Sequence, residues 1–226
     1  MRWTVEQVAG ALGVETPKEL NPLARMASVS IDSRTLHPGE LFFAVRGPRH
    51  DGHSFVAQAL ASGALAGVVD QARWAGYPEA IRGQLFPVED TFLALQNLAR
   101  SARRFWRAAR TGRRLAAITG SAGKTTTKEV LAAILGTRFR VLKSEGNLNN
   151  AYGLPLTLLR LDEEDAAVVE LGMSERGELK MRRIRAGSLW YWWMEFPEAL
   201  DTSAPRRPEL SSQRCWPMSS LARLFM

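Results

Sequence analysis

Between an apolar run, Arg114-Leu115-Ala116-Ala117-Ile118, and a helix-forming stretch lies Thr119-Gly120-Ser121-Ala122-Gly123-Lys124-Thr125-Thr126-Thr127. A run of this kind can hold phosphates. Glycines let the backbone turn its N–H groups inward, and a helix starting at the loop adds its positive end. Lys124 supplies a point charge for β- and γ-phosphates, and the Thr125 hydroxyl a ligand for Mg²⁺. Gly120, Ser121, Ala122, Gly123, Lys124, Thr125 and Thr126 are therefore the candidate residues for ATP. The general phosphate-loop pattern asks for glycine five positions before Gly123, where Ile118 stands. The plain alternative is a Gly/Ser/Thr-rich turn that only caps a helix.

A second polar group, His50-Asp51-Gly52-His53, has two histidines at a spacing that could suit a metal. No third ligand stands nearby, so the expectation is a loop with two solvated histidines.

Around the loop the chain alternates strands and helices. Arg114 to Thr119, Phe139 to Leu142 and Ala166 to Leu171 read as strands, Lys124 to Leu135 as a helix, and Leu154 to Leu161 as helical or turn-rich. This rhythm implies βαβ units and a parallel sheet. Glu170 ends the third strand, where a doubly wound sheet places its ligands.

The N-terminal part is shorter in its elements. Thr4 caps a helix reaching Leu12 and ended by Gly13. Val29 to Ile31 and Leu41 to Val45 read as strands around the turn His37-Pro38-Gly39, Ser54 opens an Ala-rich helix to about Ser62, and Ala66 to Val69 is a further strand. A helix from Thr91 to Arg110 follows. The fold class is α/β: a small N-terminal domain over 1–85, a connecting helix within 86–113, an incomplete phosphate-loop parallel-sheet domain over 114–184, and an irregular tail over 185–226.

The net charge of +7 sits largely in Arg100, Arg103, Arg104, Arg107, Arg110, Arg113 and Arg114. These alternate with apolar residues at helical spacing and read as a solvated helix face. No nucleic-acid motif accompanies them, so phosphorylated small molecules are the expected anionic partners. No run approaches the 20 or so apolar residues of a membrane span. One cysteine, Cys215, and no leader-like start fit a reducing, cytoplasmic setting.

The tail is different in kind. Ala186 to Met226 contains no Val, Ile or Lys, yet holds Trp190-Tyr191-Trp192-Trp193 and Trp216. Neither helical nor strand periodicity persists, and Pro197, Pro205, Pro208 and Pro217 interrupt any long helix. A natural partner-binding tail is one explanation of this composition; the preferred one is a change of reading frame near 182–187, which predicts a disordered, protease-sensitive tail.

The loop's wording, Thr-Gly-Ser-x-Gly-Lys-Thr-Thr, resembles that of the Mur ligases. Asp32-Ser33-Arg34, Pro38-Gly39-Glu40-Leu41-Phe42-Phe43-Ala44, Gly47 and Asp51-Gly52-His53-Phe55 are similar to that family's N-terminal domain. Thr125-Thr126-Thr127-Lys128-Glu129, Gly146-Asn147-Leu148-Asn149-Asn150, Gly153 to Leu159 and Glu170-Leu171-Gly172-Met173 resemble the branch that adds D-alanyl-D-alanine to UDP-N-acetylmuramoyl tripeptide. The resemblance covers residues 1 to about 184. It implies a monomeric, ATP-dependent ligase of peptidoglycan precursor synthesis, in which a γ-phosphoryl group passes to the tripeptide carboxylate and the acyl phosphate is attacked by the dipeptide amine. It further implies that Lys124 and Glu170 are catalytic, that Thr125 and Glu170 hold Mg²⁺, that Ser33 and Arg34 contact the nucleotide-sugar diphosphate, and that Asn149, Asn150 and Thr157 line the substrate side. The family's later metal ligands, adenine segment and dipeptide domain have no counterpart after Gly187, so the chain alone is expected not to form the amide bond. A non-catalytic remnant that binds only UDP-muramoyl peptide is the alternative. An unrelated phosphate-loop kinase or GTPase explains neither the Asp32 nor the Asp51 segment.

Overall fold

The computed structural model describes residues 3–47, 50–120, 122–146 and 148–172, together with the backbone of 190–194. Two compact units divide the chain: Met1–Arg113 with Ala151–Glu163, and Arg114–Asn150 with Glu164–Met226.

In the first unit, helix α1 (Val5–Leu12) starts at a reciprocal cap: the Gln7 amide donates to Thr4 Oγ1, and the Thr4 amide to Gln7 Oε1. Gly13 closes it at φ 72°, a left-handed turn that glycine takes without strain. Strands β1 (Val29–Ser30), β2 (Leu41–Phe43), β3 (Ala66–Asp70) and β4 (Leu85–Val88) form a parallel sheet in chain order. Crossovers carry α2 (Val56–Ala61), α3 (Gln71–Trp74) and α4 (Glu79–Arg82). Phe42, Ala44, Val56, Val69 and Leu85 share one core cluster.

Strand β4 escapes a pattern reading because Pro87 interrupts it. It is nonetheless an edge strand among the described residues, with Pro87 opposite Val69, where a missing N–H costs little. The expected boundary at residue 85 therefore cuts a strand and is corrected. The connector reading of 86–113 is corrected as well. Helix α5 (Thr91–Ala109) is capped by Asp90, whose carboxylate accepts the Leu93 amide at 2.8 Å, and it buries Leu95, Leu98, Ala99, Ala102 and Trp106 in the first unit. Its arginines are not uniformly solvated. Arg103 is buried, and so is Arg113 just beyond the helix, which donates to the Trp106 carbonyl at 2.7 Å and the Asp162 carbonyl at 3.1 Å with its guanidinium over the Trp106 ring.

The second unit is built on β5 (Arg114–Gly120), α6 (Lys124–Gly136), β6 (Val141–Lys143), β7 (Ala166–Glu170) and β8 (Trp190–Met194). The helical segment after β6, α7 (Gly153–Leu159), belongs instead to the first unit and packs on α5. The sheet is parallel, ordered β6-β7-β5-β8. Ile118, Leu131, Ala132, Leu135, Ala166 and Val168 form its core cluster.

The expectation of a wholly disordered tail is corrected at one place: Trp190–Met194 pairs with β5 from Ala116↔Trp190 to Gly120↔Met194. Consecutive aromatics are strong strand formers, and a strand edge supplies unpaired amides and carbonyls to meet them. The remainder of the expected tail lies outside the described residues.

One glycine tests the first unit's packing. A Cβ on Gly52 would stand 2.7 Å from the Val45 nitrogen and 2.8 Å from its carbonyl oxygen, both backbone atoms that cannot rotate away. Gly52→Ala is expected to cost about 1–3 kcal/mol in urea unfolding. Gly10→Ala, with nothing within 4 Å, is expected to be neutral or stabilising by up to about 1 kcal/mol. Equal midpoints for the two variants would contradict this packing.

Candidate functional site

The chain leaves β5 toward β6 on one side and leaves β7 toward β8 on the other. The ends of β5 and β7 thus flank the crevice of a doubly wound sheet, where ligands bind. Register fixes what meets there: Ile118 is opposite Glu170, so the loop after β5 and the acid ending β7 are neighbours.

Two glycines shape the loop. Gly120 has φ 151° and Gly123 has φ 72°, and Gly123 is the N-cap of α6 without any side-chain cap. The first turn of α6 holds no acidic residue, so its amides and positive dipole end are left for an anion. Lys124 folds back and donates to the Gly120 carbonyl at 2.7 Å. Ser121 lies outside the described residues; Ala122 and Thr126 are exposed on the loop and the first turn.

Glu170 is the centre of the site, only 3% exposed. Thr125 Oγ1 donates to its Oε2 at 2.9 Å, and Asn149 Nδ2 to its Oε1 at 3.0 Å. The Asn149 carbonyl accepts the Gly172 amide at 2.8 Å, and a Cβ on Gly172 would press on Asn149 at 3.1 Å, so a side chain there would displace the amide. The structure thereby brings together Lys124, Thr125, Asn149 and Glu170. Asn150 is exposed beside Asn149. Thr157 belongs to the other unit, is fully buried on α7, and gives its hydroxyl to the Gly153 carbonyl at 2.9 Å. That bond uses the hydroxyl proton, while the oxygen keeps acceptor capacity.

Two residues around Glu170 carry no role in the sequence reading. Ser144 Oγ accepts the Glu170 amide at 2.9 Å, and Lys128 Nζ donates to the Ser144 carbonyl at 2.9 Å. A signal for Lys128 was present: it falls on the inward stripe Lys128, Leu131, Ala132, Leu135 of α6.

In the first unit, Asp32 and Arg34 form a two-pronged ion pair, Nε to Oδ1 at 2.9 Å and Nη2 to Oδ2 at 2.6 Å. The Arg34 side chain is 82% exposed, and Ser33 between them is half-buried. Beside them opens a cavity of about 480 Å³ lined by Ser28, Ser30, Asp32, Thr35, Leu156 and Arg160 among others. The histidine pair behaves otherwise than expected. His50 is exposed, but His53 is buried, its Nδ1 2.7 Å from Asp51 Oδ1 and its Nε2 accepting the Asp70 amide at 3.0 Å. Burial pushes the Asp51 carboxyl up, but hydrogen bonds from His53 and the nearby Arg73 charge outweigh it and hold the group below its ordinary value. Among the described residues no three His, Cys, Asp or Glu side chains are grouped as a metal site, and no helix is long and apolar enough to cross a membrane.

Residues 25–103 match the model of the Mur ligase family catalytic domain, and residues 118–187 that of the Mur ligase middle domain. Curated relatives named UDP-N-acetylmuramoyl-tripeptide--D-alanyl-D-alanine ligase include those of Bacillus subtilis, 43% identical over 154 residues, and Escherichia coli, 44% over 153. These alignments cover 68% and 67% of this chain but 32% and 31% of the relatives, so the chain spans about a third of their length.

Among solved structures, the D-alanyl-D-alanyl ligase of Acinetobacter baumannii aligns with a TM-score of 0.74 at 34% identity, over 85% of this chain and 41% of that one. The MurF ligase of Thermotoga maritima in complex with ADP aligns at 0.60 and 31% identity, over 74% and 37%.

The Asp32–Arg34 pair yields a pH prediction. The hydrogen bonds from the Arg34 side chain and amide hold the Asp32 carboxyl down at about 2, against an ordinary 3.8. A depressed carboxylate stabilises the fold above its unfolded value and loses that contribution as pH falls through about 2. Because the pair is exposed, solvent screens most of that contribution. Arg34→Ala is expected to move the Asp32 midpoint up toward 3.8 in a carboxyl-carbon NMR titration. An unmoved midpoint would show that the pair does not persist in solution.

Proposed function

Because the chain belongs to the Mur ligase family, with the two family segments together matching more than half of its residues, we propose that it forms the UDP-sugar-binding and nucleotide-binding portions of a ligase joining D-alanyl-D-alanine to UDP-N-acetylmuramoyl tripeptide. The observation that carries this reading is the Thr125–Glu170 pair, 2.9 Å apart, at the open N-terminus of α6 beside Lys124.

The chemistry follows from charge. Transfer of the ATP γ-phosphoryl group to a carboxylate brings two anions together, so the site must cancel their repulsion without rearranging at the moment of reaction. The free amides of α6 and Lys124 would do this for the phosphates, with Lys124 exchanging the Gly120 carbonyl for phosphate oxygen. Gly120, Ala122, Gly123 and Thr126 shape the loop around them, and Ser121 is a further candidate for phosphate.

Thr125 and Glu170 fit Mg²⁺, a hard cation that keeps several waters and takes one or two carboxylates plus substrate phosphates. One hydroxyl and one carboxylate already in contact make such a partial oxygen set. When bound, the ion would draw negative charge from the phosphoryl oxygens. Asn149 keeps the Glu170 carboxylate oriented, and Asn150 stands on the same loop as a candidate for substrate.

In the first unit, the cavity beside Asp32 is of a size that suits a nucleoside. Ser33 and the exposed Arg34 guanidinium would serve the diphosphate, Arg34 changing partner from Asp32 to phosphate oxygens. An acyl phosphate formed from the tripeptide would then be open to the dipeptide amine.

Lys124→Ala tests the nucleotide half. The loop loses its side-chain cation, so Mg²⁺·ATP binding by the full chain is expected to fall below detection in titration calorimetry. Equal affinity in the wild type and the variant would remove the phosphate-loop assignment.

A further inference from the structure

We infer that Lys128 and Ser144 are positioning residues for the metal–nucleotide site, acting as a buried relay that sets where the Glu170 carboxylate stands. The inference rests on the nucleotide reading above and concerns residues to which that reading gives no part.

Lys128 is 2% exposed, and a buried ammonium is costly unless its protons are fully used. A helix that needed only to pack would carry Leu or Met at this place on the stripe with Leu131, Ala132 and Leu135. The ammonium instead reaches across to the Ser144 carbonyl at 2.9 Å and to Glu129 Oε1 at 3.2 Å. Glu129 is bonded in turn by Lys143, the last residue of β6.

Ser144 is 1% exposed and uses three groups. Its amide donates to the Val168 carbonyl at 3.1 Å, its carbonyl accepts Lys128, and its Oγ accepts the Glu170 amide at 2.9 Å. The β6–β7 ladder has ended at Lys143↔Val168, so this hydroxyl continues the pairing beyond the last backbone rung. Glu170 is thereby fixed from both ends: its backbone by Ser144, its carboxylate by Thr125 and Asn149.

The bonds close a ring. Thr125 and Lys128 lie three residues apart on α6, on neighbouring positions of the helix surface. From Thr125 the connection runs to Glu170, through its amide to Ser144, and back through Lys128 to α6. A shift of β7 relative to α6 would have to break the ring, so the separation between the loop hydroxyl and the carboxylate is set by groups that touch neither phosphate nor metal. Loss of an outer group of this kind typically costs about 10–100-fold in metal affinity or activity.

The test uses the full chain and ADP, titrated calorimetrically with excess Mg²⁺ and again in EDTA, with a thermal melt of every variant. Lys128→Met and Ser144→Ala are expected to weaken Mg²⁺·ADP by about tenfold and to leave metal-free ADP unchanged, since only the carboxylate is displaced. Ser144→Thr, which keeps the hydroxyl, is expected to recover most of the loss. If Lys128→Met melts without a cooperative transition, Ser144→Ala, which removes one oxygen, carries the comparison. Unchanged Mg²⁺·ADP affinity, or equal losses with and without metal, would overturn the relay while leaving the nucleotide reading intact. A wild-type chain that binds ADP under neither condition would overturn that reading and the relay with it.

Discussion

The second unit depends on one register. Parallel pairing of β5 with β7 sets Ile118 opposite Glu170, and a slip by one residue would turn every side chain of β7 to the other face of the sheet. Val168 would exchange its place in the core cluster for that of a neighbour, and Glu170 would leave the Thr125 hydroxyl. Ala166, Val168 and Glu170 share one face of β7, which is buried on both faces, so the register that seats the first two in the core cluster also aims the acid.

Buried polar groups in the first unit obey the same requirement of full pairing. His53 spends both ring nitrogens, on Asp51 and the Asp70 amide, and the Tyr77 hydroxyl donates to its carbonyl at 3.1 Å. Asp70 also accepts the Thr91 amide at 3.2 Å, while the Thr91 hydroxyl reaches the Ala44 carbonyl at 3.0 Å. One imidazole thus links the end of β3 to the start of α5 and to the turn before α2. In the low dielectric of a core such a network is costly if any member is lost, which gives the Asp51-Gly52-His53 segment a reason to exist without metal or catalysis.

Much of this architecture was legible in the residues. The phosphate loop, the Thr4 cap, the strands at Leu41, Ala66, Leu115 and Ala166, and the helix after Asp90 each carry a local signal. The misses share a cause, in that tertiary context overrode the local pattern. Pro87 argues against a strand until an edge position makes its missing amide harmless. A histidine in a polar tetrapeptide reads as solvated unless Asp70, seventeen residues away, is known to face it. The segment of α7 follows β6 in sequence but packs on α5, and no periodicity reports which of two units receives a helix. The aromatic run at Trp190 looked structureless for want of alternation, whereas a strand on β5 needs only the backbone pairing that such residues favour. Ser144 gave no signal, since its role lies in where the β6–β7 ladder stops.

The charge placement at the start of α6 differs from that of α1 and α5. Helix α1 begins with a side-chain cap and Glu6 in its first turn, and α5 begins with the Asp90 cap. Both arrangements neutralise the positive helix end and stabilise the helix. Helix α6 does the opposite. Its cap is a glycine without a side chain, its first turn has no acid, and its first residue is Lys124, a cation at the end that repels cations. Lys124 offsets part of this by bonding the Gly120 carbonyl, but that bond does not discharge the helix terminus. At φ 72° position 123 itself suits glycine, but helix stability alone would favour an acid over Lys124 in the first turn. The combination retained here becomes favourable when an anion occupies the loop, as phosphate would in the proposed cradle.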